Sequence, residues 1–271
     1  MATTRQVALV TGASSGIGKA AALALVAAGF TVVGTSRDTS RVAPGGGVTF
    51  LDLDVTSTES VTTVVQQVIE QSGRIDVLVN NAGLGAAGAA EESSLAQDQR
   101  LFDVNVFGLI RMTKAVLPRM RAQGGGRIIN ISSVLGFLPA PYMASYAASK
   151  HAIEGYSESL DHEVRKHGVR VLLVQPAYTN TGFEANSLRA DSPLPVYAQQ
   201  RHIFDDLMAA AIKGGDDPAI VAKAVVSAAT DPKPKLRYTA GPTAGRVSTL
   251  RRIIPARTFD KQIRKLNRLA G

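Results

Sequence analysis

Short apolar runs alternate with longer stretches of helical spacing over the first two thirds of the chain. Apolar runs rich in Val and Ile lie at residues 6–10, 30–35, 48–53, 76–79, 127–131 and 169–175. Stretches with apolar residues at helical spacing lie between them at residues 17–28, 57–71, 97–121 and 145–166. Continuous apolar runs are typical of strands that are buried on both faces of a parallel sheet. The alternation predicts a single-domain α/β fold with a doubly wound, Rossmann-like parallel sheet and helices on both faces.

Two segments interrupt this alternation. Residues 36–47 are too few and too rich in Gly for a crossover helix, so we expect one helical turn or a loop there. Residues 182–217 follow the sixth apolar run and contain Pro193 and Pro195 before a further helical stretch. A long insertion at the carboxyl edge of a parallel sheet lies where such sheets bind their ligands. We expect this segment to form a mobile lid over a substrate crevice.

The composition fits one large domain and excludes several classes of protein. The chain has 271 residues, 45% of them apolar, which is enough for a large buried core. It has no Cys, which excludes a disulfide framework and a Cys nucleophile, and its four His lack metal-ligand spacing, so we expect no metal site. No apolar run approaches the ~18 residues of a spanning helix, and residues 1–10 lack a secretory apolar region. We therefore expect a soluble cytoplasmic protein.

The positive charge is concentrated at the carboxyl end. The formal net charge is +8, yet residues 246–271 hold eight Lys and Arg against one Asp, so the preceding residues are nearly neutral. This distribution gives the main domain no basic surface, and we expect no nucleic-acid partner. We predict one domain at residues 1–245, followed by a basic helical extension of the same domain at residues 246–271.

The basic extension has the pattern of an amphipathic helix. Its apolar residues at helical spacing are Phe259, Ile263, Leu266 and Ala270, with Lys and Arg between them. Packing against the domain or a second subunit is the preferred interpretation, and attachment to a membrane surface is the alternative.

The first apolar run leads into a glycine-rich turn and then directly into a helical stretch. Gly12, Gly16 and Gly18 at this junction allow a tight turn and a close approach of the backbone to a pyrophosphate. The N–H groups at the start of the helix favour an anion. The spacing differs from the Gly-x-Gly-x-x-Gly fingerprint, so the turn alone is equally consistent with a nucleotide site or a plain structural turn.

Tyr146 and Lys150 lie four residues apart, on one face of a predicted helix. A Tyr side chain normally titrates near ~10, and a neighbouring ammonium favours the phenolate and lowers that pKa. Tyr146 then becomes usable as a general acid or base near neutral pH. Taken as an isolated pair, the two residues equally fit the exposed face of an amphipathic helix.

Further motifs appear in a fixed order around this pair. Asn80-Asn81-Ala82-Gly83 ends the fourth run, Asn105 lies in the next helical stretch, and Ser132-Ser133 ends the fifth run. With TGxxxGxG at residues 11–18 and YxxxK at 146–150, residues 5–182 resemble the one-domain short-chain dehydrogenase/reductase family. The resemblance implies an NAD(P)-dependent oxidoreductase with about seven strands in the order 3-2-1-4-5-6-7. It also implies a homodimer or homotetramer.

The resemblance assigns roles to four residues. It implies that Tyr146 is the general acid or base and that Lys150 lowers the pKa of Tyr146 and binds the nicotinamide ribose. Ser133 stabilises the substrate oxygen, with Ser132 as its rival, and Asn105 holds a water in a proton relay. The chemistry agrees, since a serine hydroxyl can hydrogen-bond an oxygen on which charge develops.

Cofactor preference depends on the end of the second apolar run. Ser36 stands where family members that prefer NAD carry an acidic residue, and Arg37 follows it. A guanidinium suits a 2′-phosphate, which favours NADP(H) over NAD(H); alternatively, Arg37 is a solvated charge beside Asp38. Ala177 replaces the Gly of the family's PGxxxT segment, which leaves the local backbone conformation open. The candidate cofactor-binding residues are Gly12, Ser14, Ser15, Gly16, Ile17, Gly18, Arg37, Asp54, Val55, Asn81, Ala82, Gly83, Tyr146, Lys150, Pro176, Thr179 and Thr181.

The residues expected to line the crevice are mostly apolar. The candidate substrate contacts are Ser133, Leu135, Met143, Tyr146, Tyr178 and Phe183. A pocket with few fixed polar groups suits a lipophilic ketone or aldehyde and the corresponding alcohol. Two alternatives stay open, a 3-oxoacyl or polyketide-type ketoreductase and a non-catalytic NAD(P)-sensing binding protein.

Overall fold

A seven-stranded parallel sheet forms the centre of the molecule. The computed structural model describes residues 5–43, 45–183 and 186–269. The strand order is β3-β2-β1-β4-β6-β7-β9. The strands are β1 (Val7–Val10), β2 (Thr31–Ser36), β3 (Val48–Asp52), β4 (Val77–Asn80), β6 (Gly126–Ile131), β7 (Val169–Pro176) and β9 (Arg237–Ala240). The order confirms the predicted doubly wound sheet; the sequence located six of these strands and missed β9, which is too short and polar to form an apolar run.

Helices cover both faces of the sheet and bury two apolar cores. They are α1 (Gly16–Ala27), α2 (Thr58–Ser72), α3 (Leu95–Phe102), α4 (Leu109–Ala122), α5 (Ala144–Val164), α6 (Ala198–Lys213), α7 (Pro218–Thr230), α8 (Pro242–Ile253) and α9 (Ala256–Leu266). Side chains of α1 and α7, such as Leu25 and Val221, pack on one face. Those of α2, α4 and α5, such as Val64, Met112 and Leu160, pack on the other. Because both faces are covered, β1 and β4 are entirely buried, as their apolar sequences require.

The long predicted helix at residues 97–121 is divided into three pieces. Between α3 and α4 lies a π-helical turn at Asp103–Gly108. Such turns in a longer helix are frequent at functional sites. This one places the buried Asn105 opposite the carboxyl end of β4. Among the described residues of 36–47, Thr39–Arg41 form a 3₁₀ turn, in agreement with the expected helical turn or loop.

The predicted lid is anchored to the domain near its middle. A second, small sheet pairs β5 (Ala86–Ala87) with β8 (Leu188–Arg189) in parallel. Glu92 is fully buried, accepts hydrogen bonds from the N–H groups of Ala89 and Leu194, and forms an ion pair with Arg201. The segment therefore meets the body of the domain through a paired strand and a buried ion pair. Its mobility stays a prediction.

The carboxyl-terminal extension forms two helices where the sequence predicted one. Helix α8 begins at Pro242, four residues before the predicted boundary, and α9 follows after Pro255. Ala270, assigned to the amphipathic face, lies outside the described residues. The domain boundary at residue 245 stays a prediction. Among the described residues, no helix is long and apolar enough to cross a membrane.

Candidate active site

The glycine-rich turn joins β1 to α1 in a conformation that only glycine adopts easily. Gly12 and Gly16 have positive φ angles of 64° and 53°. A Cβ at Gly18 would lie 2.2 Å from the Gly12 carbonyl oxygen, so this position also excludes a side chain. The N-cap residue Ser15 makes no side-chain capping bond, which leaves N–H groups of the first helical turn open to an anion. This cradle fits a phosphate-bearing cofactor.

Hydrogen bonds from the Asn-Asn-Ala-Gly segment at residues 80–83 stabilise this turn. The Asn81 side-chain amide donates to the carbonyl oxygens of Thr11 and Gly12 at 2.9 and 3.0 Å. The Thr11 hydroxyl oxygen accepts the N–H groups of Asn81 and Ala82, each at 3.0 Å. A Cβ at Gly83 would lie 3.2 Å from the side-chain oxygen of Asn105. Asn81 and Ala82 thus fix the conformation of the glycine-rich turn. Thr11, which the sequence analysis did not select, links the turn to both of them through its hydroxyl group.

The residues for the adenosine end lie beyond β2 and β3. The Asp54 carboxylate accepts the N–H and hydroxyl of Thr56 at 2.9 and 2.7 Å, which lowers the pKa of Asp54, and the nearby Arg37 charge lowers it further. Asp38 pairs with Arg41 at 2.8 Å. Arg37 is exposed, and Asp38 pairs with Arg41 rather than with Arg37. Both interpretations of Arg37, a contact to a 2′-phosphate and a solvated charge beside Asp38, therefore stay open.

Tyr146 and Lys150 are both buried on the inner face of α5. The Lys150 ammonium nitrogen lies 5.6 Å from the centre of the Tyr146 ring. It donates a hydrogen bond of 2.9 Å to the carbonyl oxygen of Ile131 at the end of β6. Burial lowers the pKa of Lys150 to about 8, and the negative charge of Glu154 one turn away opposes that shift. Lys150 is therefore a cation held in a poorly hydrated site.

The pKa of Tyr146 is raised in the protein chain alone. Burial raises this pKa well above its ordinary value, and the interaction with Ser133 lowers it only in part, because removal of the phenol from water outweighs it. The lowering by Lys150, aided by the positive nicotinamide of an oxidised cofactor, stays a prediction. The Lys150 ammonium bonds a carbonyl oxygen. Tyr146 is thus held in its protonated form.

The structure distinguishes between the two adjacent serines at the end of β6. The Ser133 hydroxyl accepts the N–H of Leu135 at 3.1 Å, and its interaction with the Tyr146 phenol lowers the pKa of Tyr146. Ser132 is buried, and its hydroxyl has no hydrogen-bond partner among the described residues. It lies against Gly136, where an added Cβ would approach the hydroxyl oxygen to 2.6 Å. Ser133 is the serine that shares a site with Tyr146.

Asn105 connects the loop after β4 to helix α5. Its side-chain oxygen accepts the N–H of Leu84 at 2.8 Å, and its amide donates to the Leu84 carbonyl oxygen at 2.9 Å and to the Ser149 hydroxyl at 3.2 Å. These bonds use the side chain to fix the loop beside the catalytic helix. The proton-relay role of Asn105 stays a prediction.

The segment after β7 returns toward the glycine-rich turn. A Cβ at Gly16 would lie 3.4 Å from the side chain of Thr181, so this threonine stands beside the cradle. Thr179 donates its hydroxyl to the Ala177 carbonyl oxygen at 3.2 Å. Ala177 is not among the described residues with a positive φ angle, so its replacement of glycine needs no strained backbone. Pro176 ends β7 in the buried sheet.

The Tyr146 ring lies in an apolar surface under the lid. Buried Ala86 and Leu101 contact the ring, and the centre of the Phe183 ring lies 6.0 Å from it. Partly buried apolar residues complete this cluster, and they are Leu84, Leu135, Met143 and Leu188. The structure therefore brings together the predicted substrate contacts Leu135, Met143 and Phe183. Tyr178 is 44% exposed, and its phenol lies near enough to Tyr146 to raise the pKa of Tyr146. Val55, a predicted cofactor contact, is buried in the turn after β3 and lies beside Gly108.

Sequence analysis missed two residues that shape this crevice. Tyr142 has a positive φ of 62°, and its ring packs on Tyr197 and Phe204 of the lid at 6.5 and 5.8 Å between ring centres. The buried Glu154 carboxylate accepts from Gln175 and Arg237 at 2.9 and 3.0 Å. Neither belongs to a motif, and their partners are distant in sequence. Among the described residues, no group of His, Asp and Glu has the geometry of a metal site.

A doubly wound sheet with a phosphate cradle and a buried Tyr–Lys–Ser site defines a nucleotide-dependent enzyme of the α/β class. Residues 6–192 match the family model of the short chain dehydrogenases. The chain belongs to this family, and the protein is an NAD(P)-dependent oxidoreductase.

Two relatives of known name illustrate the similarity. The chain is 48% identical over 181 residues to the 3-ketodihydrosphingosine reductase of Bacteroides thetaiotaomicron. The matched region covers 67% of this chain and 66% of that protein. It is 36% identical over 257 residues to human retinol dehydrogenase 8, with 88% of this chain and 82% of that protein covered.

Solved structures match nearly the whole chain. A short-chain dehydrogenase from Streptomyces avermitilis superposes with a TM-score of 0.82 at 36% identity over 98% of both chains. A family member from Burkholderia phymatum in complex with NAD gives 0.80 at 28% identity over 95% of both. Another from Burkholderia cenocepacia in complex with NADP gives 0.77 at 25% identity over 96% of this chain and 97% of that one.

Proposed function

We propose that this protein interconverts a lipophilic ketone or aldehyde and the corresponding alcohol, with NADP(H) preferred over NAD(H). The observation that carries the proposal is the buried Tyr146 hydroxyl, which interacts with Ser133 and is surrounded by an apolar cluster. A proton donor in an apolar crevice suits a substrate whose only strongly polar atom is the reacting oxygen.

The roles of the side chains follow from their geometry. When bound, the nicotinamide cofactor supplies or accepts the hydride. In the reductive direction the Ser133 hydroxyl hydrogen-bonds the substrate oxygen, and the Tyr146 hydroxyl gives it a proton as negative charge develops. The raised pKa of Tyr146 keeps that proton available. Lys150 lies near the phenol as a cation at neutral pH and binds the cofactor ribose. Asn105 holds a water that links Lys150 to solvent as a proton relay.

The charge at the end of β2 supports the cofactor preference. Ser36 carries no negative charge to repel a 2′-phosphate, Arg37 is exposed, and Asp38 pairs with Arg41. A guanidinium forms strong, charge-assisted hydrogen bonds with phosphate oxygens. The phosphate cradle itself would be formed by the turn from Gly12 to Gly18. Its adenosine end would lie beside Asp54 and Val55.

The relatives are consistent with a lipophilic substrate. One is named for a keto-sphingoid base and another for retinol. In this chain the side chains around Tyr146 are Ala, Leu, Met and Phe, which offer no fixed hydrogen bonds to a polar substrate. We therefore propose a substrate with an extended hydrocarbon part next to its carbonyl group.

We also propose a homodimer or homotetramer that uses the face of α3 and the following π turn. Leu95 and Phe107 are large apolar residues that are exposed on this face. Covering them in a subunit interface would remove apolar surface from water.

The Tyr146→Phe variant tests the proposed activity. General acid catalysis contributes roughly 10²–10⁴-fold to rate, so we expect a loss of this size in NADPH-dependent reduction of long-chain ketones and aldehydes. NADPH binding, followed by its fluorescence, should be unchanged. Tyr156→Phe on the same helix is the matched control, because Tyr156 is outside the site and should keep its activity. Equal activities in the two variants, or no turnover by the wild type on any carbonyl, would contradict the proposal.

A further inference from the structure

The two carboxyl-terminal helices contribute little to the core of the domain. In α8 only Ala244 is buried, and in α9 no residue is buried. Their apolar residues Phe259 and Ile263 are only partly covered. Most of the surface of these helices faces solvent. The interpretation preferred from the sequence is packing against the domain or a second subunit. Packing against the domain therefore covers only a small part of the surface of this segment.

A stripe of positive charge runs along the exposed side of α9 and its carboxyl end. Arg257, Lys261 and Lys265 follow one another at spacings of four residues, which places them on one face of α9, and Arg268 lies just beyond the carboxyl end of that helix. All four are exposed, and none forms an ion pair with another described residue. Uncompensated like charges repel one another in the free protein. The stripe is complementary to a negatively charged surface.

Large apolar side chains are exposed beside this charge. Leu250, Ile253 and Leu266 are 45, 70 and 68% exposed. Leu250 and Ile253 lie three residues apart and share one face of α8, next to Arg251 and Arg252. We call the exposed side of residues 246–268 the tail surface. Basic residues bordering exposed apolar side chains are the pattern of helices that lie in the interface of a bilayer.

The tail surface adjoins the lid and the catalytic loop. The Gln200 side chain of α6 donates to the Asn267 carbonyl oxygen at 3.0 Å. Arg251 donates to the Phe137 carbonyl oxygen at 3.4 Å, in the loop that follows Ser133. A surface bound to the tail would therefore lie at the edge of the lid. A hydrophobic compound dissolved in that surface would be near the crevice.

We propose that the tail surface docks on an anionic phospholipid bilayer, with the basic stripe at the headgroups and Ile253 and Leu266 at the acyl boundary. A second copy of this chain is a poor occupant because it presents the same positive charge. Nucleic acid satisfies the basic stripe and leaves the exposed apolar side chains without a partner. Docking does not depend on the proposed substrate, since it uses residues outside the catalytic site.

Vesicle sedimentation with the full chain tests the docking. We expect the protein to pellet with equimolar phosphatidylcholine–phosphatidylglycerol vesicles and to stay in the supernatant with phosphatidylcholine alone. Raising NaCl from about 0.1 M to about 1 M shortens the Debye length from about 10 Å to about 3 Å and should release most of the protein. Equal binding to both vesicle types, or binding to neither, would overturn the proposal.

Matched charge reversals distinguish the tail from total charge. Lys261→Glu with Lys265→Glu should weaken binding to the anionic vesicles at least ~10-fold. Lys233→Glu with Lys235→Glu removes the same charge from an exposed loop before β9, at the end of that strand away from α8, and should weaken it less than about 2-fold. Circular dichroism and thermal unfolding verify that both variants are folded. Similar losses in the two variants would contradict docking through the tail.

The apolar part of the surface has its own test. Ile253→Ser with Leu266→Ser should lower vesicle binding while its salt dependence stays unchanged, because the charges remain. Val196→Ser, which alters a similarly exposed apolar side chain in the lid, should not lower it. Wild-type binding by the double variant, or tighter binding to duplex DNA than to vesicles, would replace the bilayer with another partner.

Discussion

Burial dominates the chemistry of individual residues in this site. Tyr146 and Lys150 are both buried, and burial favours the neutral form of each side chain. It raises the pKa of Tyr146 and lowers the pKa of Lys150. Around them, Ile131 binds the ammonium group through its carbonyl oxygen, and Glu154 supplies a negative charge one turn along the helix. The protein chain thus sets up a protonated phenol and a cation that is easily neutralised.

Lys150 should make stability depend on pH in alkaline solution. Its pKa is about 8 in the folded chain and 10.5 as the reference value. Between these values the unfolded chain holds a proton that the folded chain lacks, so stability increases with pH. From about pH 8 to about pH 10 the gain is about 2 kcal/mol. Urea denaturation should show this gain in wild type and in Lys114→Met, an exposed control, and not in Lys150→Met. Parallel pH profiles for all three proteins would refute the assignment.

Arg37 should determine how well the enzyme distinguishes NADPH from NADH. A charge-assisted hydrogen bond is worth about 1.5–3 kcal/mol, so Arg37→Ala should raise the Kd for NADPH by roughly 10–100-fold. The Kd for NADH should change little because the 2′-phosphate is missing. Arg41→Ala is the control, since Arg41 pairs with Asp38 at the same end of the sheet. Equal effects of Arg37→Ala on the two cofactors would argue against the proposed contact.

At the scale of elements, the lid is a separate layer that is held by a few strong contacts. The parallel pair of β5 and β8 joins it to the loop after β4. Glu92 binds Arg201 and the Leu194 N–H, and Asp191 accepts from the Ser94 N–H and hydroxyl at 2.8 and 2.5 Å. These contacts connect positions about a hundred residues apart. They fix the position of the lid relative to the domain.

Breaking the buried ion pair should loosen the lid. Arg201→Met leaves the Glu92 carboxylate buried without its partner, which typically costs about 3–5 kcal/mol. We expect this loss of stability in urea denaturation, together with a raised KM for substrate and an unchanged Kd for NADPH. Asp205→Asn breaks the exposed pair of Arg189 and Asp205 and should cost less than about 1 kcal/mol. Comparable losses from both substitutions would disprove a structural role for the pair.

At the scale of the whole molecule, stability and surface function lie in different parts of the chain. The central sheet and its covering helices hold the fully buried side chains, such as Leu172 and Leu173 of β7. Helices α8 and α9 hold most of the net charge and almost none of the core. The fold can therefore be stable with or without a partner for its carboxyl-terminal end.

Truncation and core mutation should show this division. Deletion of residues 256–271 removes the partly buried Phe259 and Ile263 and no fully buried side chain of α9, so we expect the free energy of unfolding to fall by only about 1–2 kcal/mol. Leu172→Ala creates a cavity in the sheet and should cost about 2–5 kcal/mol. Calorimetry or urea denaturation of both variants makes the comparison. A truncated chain as unstable as Leu172→Ala would show that α9 is part of the core.

The sequence by itself determined the fold class, the family and the motif residues of the site. A strand such as β1 must be buried on both faces because its sequence is apolar throughout, and Gly12 and Gly18 mark the turn because no side chain fits there. These are local properties, which are written in neighbouring residues. The motifs around Tyr146 are local in the same sense.

Only the tertiary structure decided how the site is tuned and closed. The pKa of Tyr146 in the protein chain depends on how completely the assembled fold removes water, which no spacing in the sequence indicates. The choice of Ser133 over Ser132 depends on which hydroxyl meets the phenol. The partners of Glu92 and Glu154 are distant in sequence, so no periodicity or spacing indicates them. Burial and long-range pairing are properties of the folded chain, and the energies of this site depend on both.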